Sequence, residues 1–225
     1  MIPIKDKNPS QTVPYLNYLL IGINIVVFAY QFSLGSGVEE LYAKYALIPA
    51  RLVGGLTASH PDLRPLITVF TSMFLHGGFL HILGNMLYMW VFADNIEDKF
   101  GHIRFVIFFF LCGALASALH VVIDPHSPVP TVGASGAISG VLAAYLVMFP
   151  RTRVVTIIPI FFFLQIAELP AMAVIGLWFV IQFFNGVLSL GYETAGMGGV
   201  AWWAHMGGFL AGLVLVFPFR RRAKA

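Results

Sequence analysis

Six apolar stretches, separated by short polar or glycine-rich connections, constrain this chain more than any other feature. They cover residues 14–32, 74–92, 103–123, 135–149, 170–188 and 200–219. A helix crossing a bilayer needs about 20 predominantly apolar residues, because the hydrocarbon core is about 30 Å thick and each residue rises about 1.5 Å. Composition agrees: 59% of residues are apolar and 10% charged, against about 45–50% and about 25% in soluble domains. Such a chain belongs in a membrane. With 21 Phe it is the opposite of a disordered sequence. A formal charge of +3 without a basic face argues against nucleic-acid binding. The single cysteine, Cys112, matches no disulfide, zinc or iron–sulfur pattern.

The expected architecture is an all-α polytopic membrane protein: a cytoplasmic N-terminal segment (1–13), a six-helix membrane domain (14–219) and a basic cytoplasmic tail (220–225). Pro150 ends the fourth stretch early, which makes that span short. Residues 154–164 are apolar but brief and interrupted by Pro159, which reads as an interfacial or re-entrant segment. Six spans put both termini on one side. That side then carries Lys5, Lys7, Lys99, Arg104, Arg151, Arg153, Arg220, Arg221, Arg222 and Lys224, and the other only Lys44, Arg51 and Arg64. The excess marks the cytoplasm, so the protein is expected in a cell (inner) membrane with both ends inside. The longest extramembrane stretch, 33–62, lies on the outer side and mixes apolar residues with glycines, as a loop resting on the bilayer would.

Polar groups within spans are costly and therefore informative. The second stretch carries His81 and Asn85, four apart on one helix face, with His76 just before it. The fourth opens at Gly133-Ala134-Ser135-Gly136, and the sixth holds His205 before Gly208. Counting back from Arg151 to Ser135 gives about 24 Å of helix, and from Arg220 to His205 about 22 Å. Ser135 and His205 thus fall at nearly one depth, some 6–8 Å below the outer edge of a core about 30 Å thick. The glycine pairs Gly136/Gly140 and Gly208/Gly212 allow the two helices to approach closely. A serine and a histidine at matched depth suggest nucleophilic catalysis. All ten acidic residues fall outside the six stretches, so such a site is a Ser–His dyad without a buried carboxylate. No His pair has zinc-protease spacing, and neither metal nor cofactor is expected. His81, Asn85 and the Ser135 amide can supply oxyanion donors.

These residues resemble the rhomboid family of intramembrane serine proteases over residues 71–219. The marks are His76-x4-His81-x3-Asn85, Glu97-x3-Gly101, Gly133-x-Ser135-Gly136 and Ala204-His205-x2-Gly208-x3-Gly212, in that order. The resemblance implies Ser135 as nucleophile and His205 as general base and then acid. His81, Asn85 and the Ser135 amide become oxyanion stabilisers, with His76, Gly133, Gly136, Gly208 and Glu97 in supporting roles. It implies hydrolysis of peptide bonds in or beside the transmembrane segment of single-span membrane proteins, which enter sideways between the second and fifth spans. Glycines in the 191–199 loop make it and the fifth span candidate gates. Two positions depart from the family pattern. Ile67-Thr68 stands where many members have Trp-Arg, so the outer loop needs another anchor. Ser139 stands where an aromatic often packs on the catalytic His, leaving Trp202 and Trp203 as contacts for His205. A silent rhomboid-like protein that binds transmembrane helices without cutting them is the alternative. A small-molecule transporter is disfavoured by the shortage of embedded charge.

Overall fold

The computed structural model describes residues 1–160, 163–189 and 201–220. Helices dominate, numbered here as α1 (Tyr15–Ser33), α2 (Val38–Tyr45), α3 (Pro49–Thr57), α4 (Arg64–Phe74), α5 (Phe79–Phe100), α6 (His102–Ile123), α7 (Ser135–Met148), α8 (Ala171–Ser189) and α9 (Trp202–Phe219). Helices α1, α6, α8 and α9 are each long and apolar enough to cross a membrane. The pair α4–α5, bent by 81°, makes a fifth candidate if counted as one span. Helix α7 has only 14 residues and falls short of the length a full crossing needs. Outward-facing residues such as Val26, Leu80, Ile103 and Val214 are exposed and apolar, as lipid-facing positions are.

Helix α7 sits at the centre, with every residue from Gly136 to Tyr145 buried. Backbone contact with α9 explains its position. A Cβ added at Gly208 would lie 1.8 Å from the Gly136 carbonyl oxygen, and one at Gly212 would lie 2.3 Å from that of Gly140. Helix α6 also packs closely: a Cβ at Gly136 would meet its Ala116 at 2.7 Å and one at Gly140 would meet the sulfur of its Cys112 at 2.4 Å. Close packing of this kind is what holds helices together where lipid offers no hydrophobic gradient.

Three features correct the sequence reading. The fold is not all-α, because a three-stranded antiparallel sheet runs β1 (Ile2–Asp6), β2 (Arg153–Ile160), β3 (Phe163–Pro170) in the order β1-β2-β3. Residues 154–160 therefore lie on β2 and 163–164 on β3, paired antiparallel rather than forming a re-entrant segment, with Arg153 opposite Pro170 and Ile160 opposite Phe163. The β-branched run Val154-Val155-Thr156-Ile157-Ile158 favours the pleated conformation. The 1–13 segment supplies β1, which pairs Ile2 with Ile157 and Asp6 with Val154.

The second apolar stretch also differs from its expected bounds. Leu75 turns extended and the chain breaks before the helix restarts at Phe79, beyond Gly78. It then continues to Phe100 rather than stopping at 92, so Asp94, Glu97 and Asp98 ride on the same helix. Inside it, Met89–Ala93 forms a π-turn. Such a turn disturbs the regular ladder, and the Asn17 side-chain amide donates to the Met89 carbonyl at 3.3 Å. Asn17, Asn24 and Gln31 of α1 are all buried and seven apart, a polar stripe facing the bundle that the sequence census omitted. Glu97, fully buried, takes the place of an N-cap for α1: its carboxylate accepts from the amides of Leu16 at 3.1 Å and Asn17 at 2.7 Å. Gly101, with φ of +82°, then turns the chain into α6.

The 33–62 stretch folds into α2 and α3. It is anchored without the Trp-Arg pair. The Tyr42 hydroxyl and the Gln31 amide both donate to the His76 carbonyl, at 2.8 Å and 3.0 Å, while the His76 amide donates to Gln31 Oε1 at 3.0 Å. The candidate gate at 191–199 and tail residues 221–225 lie outside the described residues.

Candidate active site

Ser135 is the first residue of α7, and His205 lies one turn into α9. The glycine contacts that press these helices together bring the His205 Nε2 to 2.7 Å from the Ser135 Oγ. His205 is 8% exposed, so its ring meets the hydroxyl in a largely dry environment. A hydroxyl and an imidazole at this distance can pass a proton between them. The other ring nitrogen, Nδ1, lies 2.5 Å from Oε1 of Gln182 on α8.

His81 and Asn85 stand across the cavity on α5. Their place is fixed by Gly133, whose φ is +119° and whose backbone passes so near that a Cβ would lie 2.7 Å from His81 Nε2 and 3.4 Å from Asn85 Nδ2. The Gly133 amide donates to the Ser72 carbonyl at 2.9 Å, tying this turn to the end of α4. The Gly77 amide donates to His81 Nδ1 at 3.2 Å. With Nδ1 accepting, neutral His81 carries its proton on Nε2 and presents a donor toward the serine turn. Asn85 is 7% exposed, and its Nδ2 has no partner among the described residues. A buried amide donor left unspent is costly in isolation and useful where an anion forms.

These groups line one cavity of about 760 Å³, to which residues of α5 and Trp178 and Gln182 of α8 also contribute. Glu39 and Tyr42 of α2 also face it. That volume suits an extended peptide segment of a few residues. Among the described residues, no group of three or more His, Cys, Asp or Glu could hold a metal ion.

The remaining sequence candidates are placed as follows. The His76 ring packs edge-on against His81 with centroids 5.1 Å apart, and its backbone forms the loop anchor described above. Gly136 and Gly208 are helix contacts, while Glu97 belongs to the α1–α5 junction. Ser139 turns its hydroxyl back onto the Ser135 carbonyl at 2.6 Å. Two tryptophans flank His205 instead of an aromatic at 139: Trp178 at 5.9 Å and Trp202 at 6.2 Å between centroids. Trp203 packs near Gly186. His120 shares a 3.0 Å hydrogen bond with Thr131. Sequence reasoning missed Trp178 and Gln182, although a glutamine inside an apolar span was itself a signal.

The Rhomboid domain family model matches residues 64–222, and the chain belongs to the rhomboid family. It is 36% identical over 80 residues to the putative rhomboid protease YdcA of Bacillus subtilis, covering 36% of this chain and 40% of that protein. It is 33% identical over 78 residues to RHOMBOID-like protein 5 of Arabidopsis thaliana, covering 35% of this chain and 25% of the relative. It is also 27% identical over 93 residues to inactive rhomboid protein 1 of Drosophila melanogaster, covering 41% of this chain and 6% of that protein. The chain thus spans less than half the length of these relatives.

Proposed function

We propose that this chain is an intramembrane serine endopeptidase working through a Ser135–His205 dyad. The 2.7 Å contact between Ser135 Oγ and His205 Nε2, facing two side-chain donors, carries the reading. His205 Nε2 takes the hydroxyl proton as Oγ attacks the scissile carbonyl. The developing oxyanion is met by the Ser135 amide at the start of α7, His81 Nε2–H and Asn85 Nδ2–H. The imidazolium then gives its proton to the departing amine, leaving an acyl-enzyme. A water molecule, deprotonated by His205, releases the acyl group and returns the serine.

In this reading six segments cross or enter the bilayer, α7 starting below the outer surface. Both termini are cytoplasmic, as the basic-residue partition suggests. Substrates are single-span membrane proteins that enter between α5 and α8, the two helices bounding the cavity. The test compares purified protein with Ser135→Ala on labelled single-span substrates in liposomes. Serine-dependent fragments are expected, and equal cleavage by both proteins would sink the assignment. Similarity to an inactive rhomboid favours a second reading, binding of transmembrane helices without cleavage. That reading requires that Ser135 fail to react with a small serine-directed fluorophosphonate in folded protein.

A further inference from the structure

We propose that Gln182 is the positioning residue of the dyad, its side-chain oxygen accepting the Nδ1–H of His205 so that the Nε2 lone pair faces Ser135. This rests on the protease reading and adds to it a third, uncharged member on a different helix.

The placement follows from the sequence of α8. Ile181, Phe183 and Phe184 are exposed on the outer face, whereas Gln182 is 7% exposed and turned inward. A primary amide in an apolar span is costly unless bonded, and Gln182 meets its partner at 2.5 Å. Trp178, one turn earlier and on the same face, packs its ring at 5.9 Å from His205. One turn of α8 thus supplies both a hydrogen bond to the edge of the imidazole and an aromatic contact. Ser139 cannot do either, because its hydroxyl is bonded within α7.

An amide oxygen can only accept, so the bond selects one tautomer of His205. Neutral imidazole then has its proton on Nδ1 and its lone pair on Nε2, the state a general base needs. A carboxylate in this position would also stabilise the imidazolium, and an amide does so far less. The titratable side chains acting on His205 are His81 from α5 and His120 from α6, and Glu39 from α2 faces the same cavity.

The test uses full-length protein in liposomes with a substrate it cleaves in a Ser135-dependent manner. Gln182→Met keeps the length of the side chain and removes the acceptor. It is expected to lower kcat by about tenfold to a hundredfold with KM within about twofold of wild type. Gln182→Glu keeps the acceptor and adds charge. It is expected to restore kcat at alkaline pH and to move the acid limb of the kcat profile upward by about one pH unit. Wild-type kcat in Gln182→Met, or a loss that Gln182→Glu fails to rescue, would overturn the proposal while leaving the protease reading intact. If Gln182→Met does not fold, as judged by its melting temperature, Gln182→Glu decides alone: an unshifted acid limb overturns the proposal. Absence of Ser135-dependent turnover in the wild type would instead count against the protease reading itself.

Discussion

The Gly77 backbone amide donates to Nδ1 of His81 across 3.2 Å, which leaves that ring's proton on the nitrogen facing Gly133 and the serine turn. A backbone donor, which cannot be lost by side-chain rotation, thereby presets a side-chain donor. His81→Ala and Asn85→Ala are each expected to lower kcat by about 10²- to 10³-fold while the melting temperature stays near wild type. Steady-state cleavage in liposomes checks both. Wild-type turnover in either variant would remove that residue from the oxyanion site.

Gly133 is expected to tolerate no side chain. Its φ of +119° is one that other residues rarely adopt, and a Cβ would collide with His81 at 2.7 Å. Gly133→Ala should therefore lose cleavage and labelling of Ser135 together, read by fluorophosphonate incorporation.

Helix approach gives a paired prediction. Gly208→Ala places a Cβ 1.8 Å from the Gly136 carbonyl oxygen, whereas nothing lies within 4 Å of a Cβ at Gly176. The first substitution should destabilise by at least about 2 kcal/mol. The second should be neutral or stabilise by up to about 1 kcal/mol, since alanine favours a helix. Thermal unfolding in detergent separates them.

At the sheet end, Asp6 accepts hydrogen bonds from the Tyr145 hydroxyl and the Asn95 amide. Burial pushes its carboxyl up from 3.8 to about 6, with Asp94 nearby adding in the same direction. The folded state therefore binds this proton more tightly than the unfolded chain. The stabilisation is fully present below about pH 4 and is lost as pH rises through about 6. Asp6→Asn should melt higher than wild type at pH 7.5, and the difference should shrink toward pH 4. A difference independent of pH would refute the assignment.

Glu97 offers a structural control. Glu97→Ala strips the amides of Leu16 and Asn17 of their acceptor and should cost about 2 kcal/mol. The folded fraction should still cleave at the wild-type rate, measured per labelled serine.

The pairing of Ser135 with His205 was legible because helical rise converts distance along the chain into depth, and two basic ends set the zero for both helices. Glycine spacing then told which faces meet. Gln182 was harder to find because its role depends on the rotation of α8, which a nearly uniform apolar sequence does not encode. The buried stripe Asn17, Asn24 and Gln31 was readable by its spacing of seven, yet its partners, Met89 on α5 and His76 in the break before it, approach α1 in a way no local pattern reveals. The β2–β3 pair shows a different limit. Its β-branched residues argued for strand, but apolar character and Pro159 are equally at home beside a membrane. What decides is pairing with Ile2–Asp6, a partner about 150 positions away.

That pairing bears on how the molecule is assembled. Strand β1 is synthesised well before its partner β2, and α1 to α7 are made in between. Residues Ile2–Asp6 must therefore wait, unpaired, through synthesis of α1 to α7 before the sheet can close. Once it does, it clasps Ile2–Asp6 to the connection between α7 and α8. The late step carries the loop-closure cost of a long-range contact. Strand pairing at Ile2 would accordingly report that synthesis has passed β2, since a nascent chain stalled before Arg153 has nothing for it to join.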